Sequence, residues 1–211
     1  TSQINIFKTL NHKISQISKT DTDETSLSVS PDVKKIALVR GRGTFIVADI
    51  NKDGQMTNEI ILSNSWDAPE DISWSPDSKW LSYSLNDLYY NQEVFIQSAD
   101  NKNGPVNISM HPRRDHSPFW SADGSKLGFI SERGAGRSED VWFVWLKKKK
   151  KEKDVQDWQD KDIGDAESSK SKSETDKKIV PEIKIDMENI HERIFRVTSF
   201  PGDESEFVIS S

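Results

Sequence analysis

One short pattern occurs three times along the chain and limits what it can fold into. Each copy places an apolar residue before Ser-Pro-Asp or Ser-Ala-Asp, and an alternating apolar run follows. The copies begin at Val29, Trp74 and Trp120, so the intervals run from 29 to 74 and from 74 to 120. The Ser-Pro-Asp segment predicts a tight turn, and the alternating run predicts a strand. A repeat of about 40–45 residues with four strands is typical of the blades of a β-propeller.

The sequence therefore predicts an all-β fold, a partial β-propeller of four-stranded antiparallel blades. About three full blades are expected, with a half-blade at each end. Residues 1–25 give the outer strands of a preceding blade, residues 26–64, 65–110 and 111–200 give three blades, and residues 201–211 give the first strand of a following blade. A ring of four blades closed by this chain alone is the alternative. An arc of a larger ring is favoured, because the last blade of a closed ring would lack its second strand.

The third blade contains a charged insertion at residues 147–190. It opens with the lysine run Lys147–Lys151, and residues 147–178 carry 11 lysines and 9 acidic residues. Few aromatic or branched apolar side chains occur there, which predicts a loop of the disordered type. The near balance of charge argues against a site for nucleic acid or anionic lipid.

Composition excludes several further classes of site. The chain has no cysteine, which rules out disulfides, thiolate metal sites and cysteine nucleophiles. Its net charge is -6, so the surface as a whole has no attraction for nucleic acid. No apolar run approaches the roughly 18–20 residues of a membrane-spanning helix.

Two stretches invite a chemical interpretation that the spacing does not support. Asp49–Gly54 begins like a calcium loop, but the twelfth position is Ile60, where such a loop needs a bidentate carboxylate. A hairpin turn is the better interpretation. His111, Asp115 and His116 contain parts of a Ser-His-Asp triad, yet no Gly-x-Ser-x-Gly nucleophile elbow exists. We therefore predict no catalytic residue, no metal site and no cofactor.

The polar residues of one link between blades are expected to form a solvated loop, with peptide binding as the alternative. Arg113, Arg114 and His116 fall in the segment that joins the second and third blades, where a solvated loop on one face of the ring is expected. The two arginines there suit a peptide carboxylate. Trp66 lies outside the alternating pattern and is predicted to be an exposed contact.

The repeated pattern resembles the WD-repeat-like propeller units of TolB-like and tricorn-type proteins. Asp140–Leu146, followed by polylysine and an acidic loop with Trp158, is similar to the propeller region of bacterial tricorn-like serine peptidases. Ile190–Arg193 and the turn at Thr198–Asp203 extend the likeness, which covers about residues 20–211. The copies depart from the family pattern where Val33 and Ser78 replace the turn glycine and Ala122 replaces the proline.

The resemblance implies a non-catalytic propeller that controls substrate access or binds peptides in front of a serine peptidase module with a PDZ-like domain. Its partners would be a peptide or protein ligand and the remaining blades and peptidase domains of the parent chain. The alternative is a stand-alone, TolB-like scaffold that binds proteins without a protease attached. The resemblance favours a periplasmic location, while a cytoplasmic one and an oligomeric state stay open.

Overall fold

A computed structural model shows the chain to be built from antiparallel strands. It describes residues 2–8, 13–18, 20–134, 138–148, 182–199, 202–205 and 207–209. The strands are β1 (Asn5–Lys8), β2 (Lys13–Gln16), β3 (Glu24–Val29), β4 (Lys35–Arg40), β5 (Thr44–Ile50), β6 (Met56–Asn64), β7 (Glu70–Trp74), β8 (Trp80–Asn86), β9 (Gln92–Ser98), β10 (Val106–Asn107), β11 (Asp115–Trp120), β12 (Lys126–Ser131), β13 (Asp140–Trp145) and β14 (Ile194–Arg196). One 3-10 turn, Ile190–Arg193, precedes β14.

Three four-stranded sheets form the body of the chain. Their strand orders are β3-β4-β5-β6, β7-β8-β9-β10 and β11-β12-β13-β14, so each strand pairs with the next one along the chain. The strands β1 and β2 form a separate two-stranded sheet. The predicted all-β fold and the four-stranded blades of a partial propeller are confirmed.

The same polar turn closes the first hairpin of every blade. In the first blade, the Ser30 hydroxyl donates to the Asp32 carboxylate at 2.7 Å and accepts from the backbone N–H of Lys35 at 2.9 Å. The Asp32 carboxylate also accepts from the backbone N–H of Lys34 at 3.1 Å. Equivalent bonds recur at Ser75 and Asp77 and at Ser121 and Asp123. The repeated Ser and Asp residues are thus structural, as their repetition predicts.

Apolar side chains fill the space between neighbouring blades. The first and second blades enclose Ala37, Val39, Phe45, Val47, Leu62, Trp74, Leu81, Tyr83 and Ala99. The second and third enclose Val94, Ile96, Ile108, Trp120, Leu127, Phe129, Val144, Leu146, Ile183 and Ile190. The N-terminal hairpin region adds Ile4 and Ile17 to Ile36, Leu38, Ile46 and Ala48 of the first blade. Fully burying one such large side chain contributes about 1.5–3 kcal/mol, so the interfaces between blades hold the arc together.

The chain returns to the third blade earlier than its composition indicates. The sequence extends the charged insertion to residue 190, and its residues 149–181 lie outside the described residues. From residue 182 onward the segment packs, with Ile183 and Ile190 buried in the core between the second and third blades. Ile183 also spans to the second blade, because its N–H donates to Asp77 at 2.9 Å and its carbonyl accepts from the Trp80 indole at 3.3 Å. Alternating apolar residues at 183, 185 and 187 explain this packing.

The fourth position of the polar turn generates a stability prediction. Val33 and Gly124 both have a left-handed backbone there, with φ of 59° and 66°. This conformation costs an L-residue about 1–2 kcal/mol, whereas glycine loses about 0.5–1 kcal/mol through its greater freedom when unfolded. We therefore expect Val33→Gly to raise the free energy of unfolding by about 0.5–1 kcal/mol. Gly124→Ala should lower it by about 1–3 kcal/mol, since the new methyl group would also overlap the Ile183 side chain.

Urea unfolding of both variants beside the wild-type chain measures the two effects. Changes of the same sign in the two variants would contradict this account of the turn.

Candidate functional site

The four predicted site residues all lie on one side of the arc. This side carries the starts of the inner strands β3, β7 and β11, and we call it the link face. It comprises residues 41–43, 65–69, 87–91, 107–114, 132–134 and 138–139 together with the first two residues of each inner strand. Trp66 lies in the link before β7, Arg113 and Arg114 lie in the link before β11, and His116 is the second residue of β11. The polar turns lie on the opposite side, which we call the turn face.

Trp66 belongs to an exposed group of large side chains. Its indole is 46% exposed and meets the ring of Tyr90 edge to face, with centroids 5.5 Å apart. Tyr90 and its neighbours Leu88 and Tyr89 occupy the loop between β8 and β9 and are about four-fifths exposed or more. We call these four residues the aromatic patch. The sequence predicts Trp66 to be exposed, as it is, while its role as a contact stays a prediction. Sequence reasoning did not single out the other three, although three large residues in a hairpin loop are a visible signal.

The loop beneath the patch is held in one conformation by Asp87. Its carboxylate accepts from the backbone N–H groups of Tyr89 at 2.7 Å and Asn91 at 2.9 Å. Tyr90 has a left-handed backbone with φ of 61°, which is a genuine outlier for a bulky residue. The corresponding loop of the first blade uses glycine, Gly41, at its left-handed position. The fold thus keeps an exposed aromatic ring at a position where glycine would adopt the left-handed backbone at a lower cost in free energy.

The two arginines of the link are engaged within the protein. Arg113 donates to the carbonyl groups of Glu132 at 3.1 Å and Gly134 at 3.2 Å and so holds the loop after β12. Arg114 is half exposed and pairs with Glu139 at 3.3 Å. Its Nε also donates to Gln92 at 2.9 Å. Binding of a peptide carboxylate by these arginines stays a prediction.

His116 differs from the sequence expectation, because it is buried rather than placed in a solvated loop. It lies on the inner strand and is 9% exposed. Its Nε2 contacts the Glu139 carboxylate at 3.1 Å and its Nδ1 contacts the Ser117 hydroxyl at 2.9 Å. Both ring nitrogens therefore have partners.

Ser117, His116 and Glu139 are hydrogen-bonded in the order of a catalytic triad, but the repeat explains the backbone conformation of Ser117. Each inner strand has an irregular register near its start. In each strand the second or third residue has a left-handed backbone, namely Ser26, Asp71 and Ser117, with φ of 51°, 52° and 51°. The conformation of Ser117 thus belongs to the repeat, and it does not single this serine out as a nucleophile.

Asp115 is also buried, as one member of a polar cluster between the second and third blades. Its carboxylate is inaccessible and pairs with Arg133 at 3.1 Å. Arg133 further donates to the Ser109 carbonyl at 3.1 Å, and its guanidinium stacks over the rings of Phe129 and Trp142. Burial raises the pKa of Asp115, while Arg133 works to lower it. This arginine, which sequence reasoning did not single out, neutralises the buried end of the inner strand.

Glu93 completes the cluster from the neighbouring strand β9. It is 5% exposed and accepts hydrogen bonds from the Ser109 hydroxyl and from the backbone N–H of His111. Burial raises its pKa, and the nearby Asp115 adds to this. Burial, Arg133 and Arg113 together lower the pKa of His111, which favours the neutral imidazole.

The calcium-like stretch serves as a hairpin turn. Asp49 pairs with Lys35 at 2.7 Å and accepts from Asn58 at 2.9 Å, and the Asn51 side chain accepts from two backbone N–H groups of the turn. Within the described residues, no group of three or more histidine or acidic side chains is placed to hold a metal ion. In the same part of the chain, no helix is long and apolar enough to cross a membrane.

The raised pKa of Glu93 predicts a pH dependence of stability. The folded chain binds the Glu93 proton more tightly than the unfolded chain does. The Glu93 carboxyl group therefore lowers the free energy of unfolding as the pH rises from 4.5, the ordinary glutamate pKa, through the higher pKa of the folded chain. Glu93→Gln should therefore gain stability relative to the wild type between about pH 4 and pH 7. Urea unfolding at several pH values measures the difference between the two chains.

Glu182→Gln is the control of opposite sign. Lys79 lowers the pKa of Glu182, so this variant should lose a little stability relative to the wild type above the ordinary pKa of 4.5, and this loss should fade as the pH falls below that value. A difference between Glu93→Gln and the wild type that stays constant with pH would contradict the prediction.

Comparisons with known proteins identify the fold. No protein-family model and no curated protein sequence matches the chain. Among solved structures, the tricorn protease superposes on 98% of this chain with a TM-score of 0.70 at 14% identity. TolB from Acinetobacter baumannii covers 68% of the chain at 19% identity with a TM-score of 0.49, and a putative TolB from Agrobacterium tumefaciens covers 68% at 16% identity with a TM-score of 0.38. The chain spans 20% of the tricorn protease chain and 35% of the Acinetobacter TolB chain.

The similarity to the tricorn protease, at 14% sequence identity, concerns the fold alone. It agrees with the three four-stranded sheets and confirms, at the level of the fold, the predicted resemblance to tricorn-type propellers. The chain therefore has the fold of a partial β-propeller, similar in architecture to part of the tricorn protease.

Proposed function

We propose that this chain is a non-catalytic arc of a β-propeller that binds peptide or protein segments through its link face. The observation that carries the proposal is the aromatic patch. Its side chains are exposed by 46–89%, and one of them, Tyr90, has a strained backbone. Strained residues persist where the surrounding structure holds them for a function.

The chemistry of the patch suits binding to other proteins. Trp and Tyr are enriched among the residues that dominate binding energy, since they bury a large area and have few rotatable bonds. The patch stands on hairpins of a packed blade, and its loop is fixed by Asp87. A ligand would therefore meet a surface that needs little ordering upon binding.

We further propose that the arc belongs to a longer, tricorn-like serine peptidase and controls access of its substrates. The structural similarity to part of the tricorn protease supports the peptidase parent. The packing at the N-terminal side of the first blade supports a further blade. Val29 occupies the position of Trp74 and Trp120 in the repeat, yet it is 46% exposed while they are 7% and 4% exposed. Leu27 on the same strand is 49% exposed. These side chains suit a contact with the inner strands of a further blade.

Replacement of Tyr90 by glycine tests the role of the patch. Tyr90→Gly relieves the left-handed strain, so thermal stability should stay the same or rise, while the ring that packs on Trp66 is lost. We expect binding of the 211-residue chain to an array of random peptides to weaken about tenfold, as for a residue that dominates an interface.

Val33→Gly is the matched control, because it relieves the same strain on the turn face and should leave binding unchanged. Binding by Tyr90→Gly that equals that of the wild type would overturn the role of the patch. An array that the wild-type chain does not bind would overturn the proposed function.

A serine-directed fluorophosphonate tests the protease parent. The intact native protein should be labelled at a serine outside these 211 residues, and the chain by itself should not be labelled. Labelling of Ser117 would instead show an enzyme within the propeller. A native protein that binds peptides and takes no label would favour the stand-alone scaffold.

A further inference from the structure

Carboxylates gather beneath and beside the aromatic patch. Asp67 accepts from the backbone and side-chain N–H groups of Asn86 at 3.2 and 2.9 Å, which ties the link that carries Trp66 to the loop that carries Tyr90. Glu70 accepts from Gln92 at 3.1 Å, at the other stem of the same loop. Asp87 lies within the loop itself. The patch thus sits on a frame of acidic residues.

Among the described residues, these carboxylates form no ion pair with lysine or arginine. Within the described residues, Asp67, Glu70, Asp71 and Asp87 form hydrogen bonds only with amide, hydroxyl and backbone N–H groups. Carboxylates elsewhere, in contrast, are frequently paired with lysine or arginine. Arg114 reaches this region through a hydrogen bond to Gln92, but its ion pair is with Glu139. Four carboxylates therefore lie around the exposed aromatic side chains. The cations of the adjoining links include Arg42 and Arg114, and Arg114 is already paired with Glu139.

We propose that the aromatic patch binds polypeptide segments in which lysine or arginine stands beside apolar side chains. This inference rests on the proposed function and names the class of peptide that the link face takes. An ammonium or guanidinium group gains energy over the face of a tryptophan or tyrosine ring. The surrounding carboxylates also attract the cation. Complementary charge of this kind selects among partners more than it sets overall affinity. The aliphatic stem of the cation and its apolar neighbours would cover Leu88 and Tyr89.

Charge-matched peptides provide the test. The probes are short fluorescein-labelled peptides of alternating leucine and lysine, and two matched sets in which glutamine or glutamate replaces the lysine. Fluorescence anisotropy measures their binding to the 211-residue chain. We expect the lysine peptide to bind most tightly and the glutamate peptide most weakly. The preference should shrink in about 1 M salt, where the Debye length falls to about 3 Å.

The variant E70Q/D87N removes two of the charges and keeps the shape of both side chains, with one acceptor oxygen on each for the hydrogen bonds that the carboxylates accept. It should weaken binding of the lysine peptide roughly fivefold, as expected for exposed charge pairs, and should affect the glutamine peptide much less. The matched control is E182Q/E188Q, which removes two exposed charges from the turn face and should bind all three peptides like the wild type.

The outcomes separate this inference from the proposed function. The cationic specificity is overturned, and peptide binding left intact, if the glutamine and lysine peptides bind equally tightly. The same holds if E70Q/D87N does not reduce the preference for lysine. Tightest binding of the glutamate peptide also overturns the cationic specificity. Failure of all three peptides to bind overturns both proposals. If E70Q/D87N does not fold, as judged by near-ultraviolet circular dichroism, the salt dependence of the wild-type chain decides the question.

Discussion

Each sheet of this protein depends on the sheet beside it to cover its apolar face. Trp74 shows the dependence directly, because its ring packs among residues of the first blade and its indole N–H donates to the carbonyl of Ser28 at 3.2 Å. Ser78 makes a second bond between blades, since its hydroxyl accepts from the backbone N–H of Asp32 at 3.2 Å. A four-stranded sheet with two apolar faces is not stable alone, because both faces would be exposed to water. The sheets therefore stack on one another around an arc.

The turn face has the same structural residues in every blade, whereas the loops of the link face vary from blade to blade. On the turn face, the same serine and aspartate close every first hairpin with nearly the same distances. On the link face, the loops share a position but not a composition, as Gly41 of the first blade and Tyr90 of the second illustrate. A rigid frame lets such loops vary, since their side chains do not hold the blades together. This is the physical reason that binding is proposed for the link face.

Sequence reasoning succeeded where a single local rule decides the outcome. The interval between Val29, Trp74 and Trp120 predicts blades because strands and turns recur in phase, and the sheets confirm them. It succeeded less well where partners come from distant parts of the chain. The sequence suggests that His116 and Asp115 belong to a polar loop, but both are buried and pair with Glu139 and Arg133. Neither partner is adjacent in sequence, so no local pattern reveals the pairing.

The sequence by itself determined the all-β class, the repeat and the polar turns, because alternation and turn chemistry act over a few residues. Tertiary structure decided which loops meet on the link face, and it brought Trp66 beside Tyr90, 24 positions along the chain from 66 to 90. It also decided that the segment around Ile183 packs between two blades. The reason is that stacking of sheets brings together residues from different repeats, and these contacts depend on the geometry of the whole arc.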